Sequence, residues 1–189
     1  ESVRPTGSVV INGGANLVKS ATVTLTLSAS DASGVGTMCI SNTSTCSAWV
    51  PYAATKSWTL GSTNGAATVR VWFKDVYDNA GASVAMATTT VDTKLPTMGA
   101  TFNASVSGGQ VAMNWTGATD SSGISSYKIV FQNGATAPAS CLVGTAAYSG
   151  NAFSYTHTGR GAGTYSYRLC AIDTAGNVST GLTRSVTIR

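Results

Sequence analysis

One histidine, four cysteines and six aspartates carry almost all the chemistry open to this 189-residue chain. Nucleophilic catalysis needs a base beside the nucleophile and a third group to orient that base. His157 is the sole histidine, and Ser154-Tyr-Thr-His-Thr-Gly159 offers it no such set. Its setting predicts a strand side chain facing solvent or a groove. No Gly-x-Ser-x-Gly, His-Glu-x-x-His or phosphate-loop pattern occurs. Paired carboxylates would have to come from Asp31, Asp75, Asp78, Asp92, Asp120 and Asp173. All but Asp92 sit in turns flanked by Gly, Ser or Asn. The expectation is a protein that is not an enzyme.

Cys39, Cys46, Cys141 and Cys170 contain no Cys-x-x-Cys pair, and His157 lacks ligand-like spacing, so structural zinc is disfavoured. An even count in a chain this rich in Ser, Thr and Gly favours disulfides and an oxidising compartment. Of three connectivities, Cys39–Cys46 with Cys141–Cys170 keeps each bridge inside one domain. Loops of those lengths stabilise by about 2.5 and 3.5 kcal/mol. Buried free thiols are the alternative.

The elements that must position these residues are strands. Charged residues are only 10% of the chain, and Glu occurs once, so the stock for long helices is missing. A mean hydropathy of +0.14 is too apolar for disorder. Ala21–Ser28, Ala67–Lys74, Gln110–Trp115 and Thr164–Ile172 alternate apolar with polar residues, the pattern of half-buried antiparallel strands. The net charge of +4 comes from cations scattered singly, which excludes a nucleic-acid surface. No apolar run of about 18 residues exists, so the chain is not expected to span a membrane. A start at Glu1 fits a processed export product or an excised segment.

An internal repeat divides the chain. Asp31-Ala-Ser-Gly-Val35 matches Asp120-Ser-Ser-Gly-Ile124, and Asp75…Asn79 matches Asp173…Asn177. Two sandwiches, 1–94 and 95–189, joined near Val91-Asp-Thr-Lys-Leu-Pro-Thr97, are the simplest explanation. Pro96 suits a short stiff junction.

The second half resembles a fibronectin type III domain. Val111-Ala-Met-Asn-Trp115 is similar to strand B, Ile124–Phe131 to strand C and Gly163–Asp173 to strand F. The resemblance implies that Trp115 is the core tryptophan and Tyr165 the tyrosine corner. Cys141 and Cys170 depart from the usual pattern. The first half resembles bacterial immunoglobulin-like repeats of secreted surface proteins, through Val23–Val35, Phe73-Lys-Asp…Asp78-Asn and Asp92-Thr…Pro96-Thr. Together these imply an all-β fold of two tandem antiparallel β-sandwiches, non-catalytic and extracellular. Such modules serve as spacers, adhesive stalks or accessory domains.

In that topology the B–C and F–G loops share a pole. Asp31 is then expected near Asp75 and Asp78, and Asp120 near Asp173 and Asn177, with the second domain's loops facing the linker that carries Asp92. Two readings stand for these carboxylates: calcium ligands, with Asp75 and Asp78 the densest pair, or acceptors that close Asx-turns. Trp49, Tyr52 and Trp58 either form an exposed platform able to stack on sugar rings or pack into the core and over a sheet edge, and the outward Trp72 marks a contact surface. No cofactor is required beyond that calcium reading. The expected partners are other domains or copies of the same protein, or a cell-surface polysaccharide. The principal alternative role is a self-assembling filament subunit that donates Glu1–Gly7 or Thr183–Ile188 as a strand. A carbohydrate-binding appendage of a secreted hydrolase is the other. Sequons at Asn42, Asn103, Asn114 and Asn177 decide little without a known host.

Overall fold

The computed structural model describes residues 3–189. The chain divides into two compact units, the first ending at Thr93 and the second running Lys94–Arg189. Among the described residues the regular elements of both units are all strands. In unit 1 these are β1 (Thr6–Ile11), β2 (Leu17–Val18), β3 (Thr22–Ser30), β4 (Val35–Ser41), β5 (Val50–Pro51), β6 (Thr55–Thr59), β7 (Asn64–Asp75) and β8 (Ala85–Asp92). Sheet order is β1-β3-β6 against β2-β8-β7-β4-β5. All pairings are antiparallel except the short β2–β8 contact.

Alternation decides which face is core. In β3, Val23, Leu25 and Leu27 point inward between exposed threonines, and in β7 Val69, Val71 and Phe73 point inward between half-buried Thr68, Arg70, Trp72 and Lys74. Each such aliphatic side chain taken fully out of water contributes about 1.5–3 kcal/mol.

Unit 2 comprises β9 (Phe102–Ser107), β10 (Gln110–Trp115), β11 (Ile124–Asn133), β12 (Thr145–Gly150), β13 (Ser154–His157), β14 (Gly163–Asp173) and β15 (Leu182–Ile188). Its sheets are β13-β10-β9 and β12-β11-β14-β15. Trp115 is buried, with edge-on rings of Phe102 at 6.4 Å and Tyr148 at 5.8 Å. Tyr165 donates its hydroxyl to Gly161 O at 3.1 Å, which ties the start of β14 to the preceding turn.

Two expectations change here. β14 reads as half-buried, yet both of its faces are covered, with Ser166 and Cys170 as buried as Tyr167 and Leu169. The loop 134–144 lies over its outer face, held by the Cys141–Cys170 disulfide and by bonds from Arg168 Nε to Pro138 O and Ser166 Oγ to Gly134 O. Val130, Cys141, Cys170 and Val178 thereby form a second, small core. The proposed donor Thr183–Ile188 is already hydrogen-bonded to β14, so donation would require stripping it from its own sheet. Within the other segment, Thr6 and Gly7 belong to β1, and Glu1 and Ser2 lie outside the described residues.

Candidate functional site

The repeated aspartate motifs build the same device twice. In unit 1, Asp31 Oδ1 accepts Ser33 N–H at 2.9 Å and Ser33 Oγ–H at 2.7 Å. In unit 2, Asp120 Oδ1 accepts Ser122 N–H at 2.8 Å and Ser122 Oγ–H at 2.9 Å. Each turn ends on a glycine in the left-handed region, Gly34 at φ +98 and Gly123 at φ +88, where a Cβ would be strained.

The second motif closes the facing loop. Asp75 accepts Tyr77 N–H, Asn79 N–H and the Asn79 side-chain amide at 2.7–2.8 Å. Asp173 accepts Asn177 N–H and the Asn177 side-chain amide, both at 2.8 Å. The loops are then buttoned to each other by one backbone bond per unit, Val76 N–H to Gly34 O at 3.2 Å and Thr174 N–H to Gly123 O at 3.1 Å.

This arrangement bears on the cation reading. Among the described residues of unit 1 no three acidic side chains converge. The Asp75 oxygens are engaged by its own loop, and Asp78 sits 3.3 Å from the Lys74 ammonium. A calcium ion asks for six to eight oxygens, and a lysine cation beside one carboxylate opposes it. In unit 2 the carboxylate oxygens of Asp120 and Asp173 come within 4.8 Å. Asp92 ends β8, buried and opposite Asn64 in the ladder.

Two expected outcomes follow from unit 1. Burial alone would raise the Asp75 carboxyl, but hydrogen bonds from the Asn79 amide, Asn79 N–H and Tyr77 N–H outweigh it and hold the group below its ordinary 3.8. A depressed folded value means its stabilisation is complete above 3.8 and is lost as pH falls through the folded value. Acid titration of wild type and Asp75→Asn should show this: wild-type unit 1 weakens below 3.8, and the variant has a flatter profile there.

Asp78 adopts φ +68 where the equivalent residue of unit 2, Gly176, adopts +88. Asp78→Gly should therefore stabilise unit 1 by about 1 kcal/mol through relief of left-handed strain. The urea midpoint checks this; a decrease would mean that the Lys74 pair outweighs the strain.

His157 corrects its sequence expectation. It is only 8% exposed and faces the interior, because pairing of β13 with β10 sets it opposite the fully buried Val111. Its Nδ1 lies 3.1 Å from the Tyr167 hydroxyl, and its ring meets Phe131 edge-on at 4.7 Å. Burial pushes the Tyr167 phenol up to about 12, so that hydroxyl stays protonated at neutral pH. The imidazole is held below its ordinary 6.5, first by burial and then by the Arg160 charge. The pair works as a buried structural hydrogen bond.

The aromatic residues of unit 1 separate into two sets. Tyr52 packs edge-on against Phe73 at 6.1 Å and donates to Leu27 O at 3.3 Å, so it belongs to the core margin. Trp72 is half-buried on the outer face, opposite disulfide-bonded Cys39 in the ladder. Lys74, two residues on, sets its ammonium 4.6 Å from the Trp49 ring centre, and Trp49 is 37% exposed. Trp58 is held by its indole N–H to Asn42 Oδ1 at 2.8 Å. Reading the sequence placed Asn177 beside Asp120 and Asp173 but missed that Asn79 and Asn177 are the fasteners; the repeated Asp-x-x-x-Asn spacing was the available signal. It also missed Arg160 and Tyr167, which no local motif marks.

Solved structures share this architecture. The fibronectin(III)-like modules of CbhA from Clostridium thermocellum superpose with a TM-score of 0.61 and 15% identity, covering 96% of this chain and 94% of that one. The FN1–FN3 domains of chicken CNTN1 give 0.56 and 13%, covering 95% and 66%. Domains from titin give 0.53 and 13%, covering 98% and 66%. No protein-family model and no curated protein sequence matches the chain. The likeness establishes an immunoglobulin- and fibronectin type III-like fold. No helix is long and apolar enough to cross a membrane among the described residues.

Proposed function

We propose that this chain is a non-catalytic tandem module of an exported bacterial protein, holding neighbouring parts apart or presenting them with a surface. The observation that carries this reading is the duplicated fastening. In both units the carboxylates with the best claim to chemistry are engaged in closing loops. Two disulfides support an oxidising destination. A load-bearing or spacing part needs loops that do not fray, and side-chain fasteners that satisfy backbone N–H groups supply that.

Stretching the chain between handles tests the reading. Each unit should rupture as an all-or-none event. Smooth extension without force peaks would overturn it. An adhesive role for unit 1 is the second reading, favoured by Trp49 and Trp72 on one outer face. Retention on immobilised polysaccharide should then be lost in Trp49→Ala and Trp72→Ala, and unchanged retention would remove it.

A further inference from the structure

We propose that His157 is an acid-operated latch on the edge strand β13, holding it to β10 while the ring is neutral and releasing it once the ring takes a proton. β13 has four residues and a single neighbour in its sheet, so it is the element of unit 2 most easily detached. Its pairing covers Asn114–Val111 of β10, a stretch whose polar backbone groups would be bared by release.

The surroundings of the ring make a proton there costly. β10 contributes Val111, β11 contributes Phe131, and β13 itself contributes Tyr155, at 6.2 Å between ring centres. β14 contributes Tyr167, its ring centre 5.8 Å away, and Tyr165 lies against the Arg160 guanidinium. The loop after β13 contributes Arg160, whose guanidinium lies 5.3 Å from the Phe131 ring centre and 5.9 Å from that of Tyr165. β15 contributes Arg184, opposite Tyr167 and exposed at the sheet edge. The charged groups facing this end are thus cations.

The two carboxylate side chains of unit 2, Asp120 and Asp173, belong to the loops at the other end of β14. Asp173 is six residues beyond Tyr167, about 20 Å at the rise of a strand. Among the described residues His157 makes no ion pair. An imidazolium in this place has a hydroxyl for a partner and an arginine for a neighbour, and detaching β13 lets water solvate it.

The released strand binds the proton at the ordinary 6.5, and the docked strand binds it only below that. Opening therefore grows as pH falls beneath 6.5, by at most tenfold per pH unit. Hydrogen exchange on the whole chain, corrected for the intrinsic rate, tests this at about pH 7.5 and about pH 5. The opening equilibrium at the Tyr155–His157 amides should rise by up to about 30-fold, with no comparable rise at the β7 amides. His157→Phe, which fills the ring site without titrating, should abolish the rise. Wild-type protection in β13 that tracks β7 between the two pH values would overturn the proposal. So would an imidazole that titrates at or above 6.5 by NMR, a result that needs no variant to fold.

Discussion

Asp173→Ala should lower the stability of unit 2 by about 3–5 kcal/mol, the largest loss among the carboxylate substitutions. Asp173 is 1% exposed and accepts two hydrogen bonds from Asn177, itself buried. Hydrogen bonds to a charged acceptor contribute about 1.5–3 kcal/mol each, and truncation leaves their buried donors without this acceptor. For a unit of this size the melting temperature should fall by roughly 15–30 °C. Asp120→Ala should cost less, since Asp120 is half-exposed and serves a two-residue turn. Urea unfolding followed through unit 2 NMR signals measures both. A loss under about 1 kcal/mol in Asp173→Ala would mean that the F–G loop is held by something other than its fastener.

Removal of the Cys141–Cys170 bridge should rank next. Its 29-residue separation gives about 3.5 kcal/mol from loop closure, against about 2.5 for Cys39–Cys46. The small core under the strap, Val130 with Val178, also loses its lid. Cys141→Ala/Cys170→Ala should therefore cost more than the unit 1 pair. The same bridge has a mechanical signature. Residues between the two cysteines cannot extend while it is intact, so breaking it should lengthen the unit 2 unfolding step by about 100 Å. Equal step lengths before and after reduction would show that the bridge is absent from the protein in solution.

The strands were legible because period-2 alternation is a local property. Val23, Leu25 and Leu27 announce an inward face whatever packs against them, and the sheet only has to supply the partner. The turns were legible for a similar reason: Asp-x-Ser-Gly carries its acceptor, its donor and its left-handed glycine within four residues. The partners of Asp75 and Asp173 are also close in sequence, which is why the repeat at Asp31/Asp120 and Asp75/Asp173 marked real structural equivalents.

What alternation cannot supply is the identity of the second layer. β14 was misread as half-buried because its outer cover is a loop some 30 residues upstream, and no periodicity within β14 reports that. His157 was misplaced because the choice of face for a four-residue edge strand depends on its register with β10, where one residue of slip inverts every side chain. Tyr52 and Trp49, three residues apart, part company on the same principle, one at the core margin and one under the Lys74 ammonium. The amino-acid order by itself determined the strands, the turns and their duplication, since those interactions close within a few residues. Tertiary packing alone decided which polar and aromatic side chains are buried, because burial belongs to segments that meet only after the chain has folded.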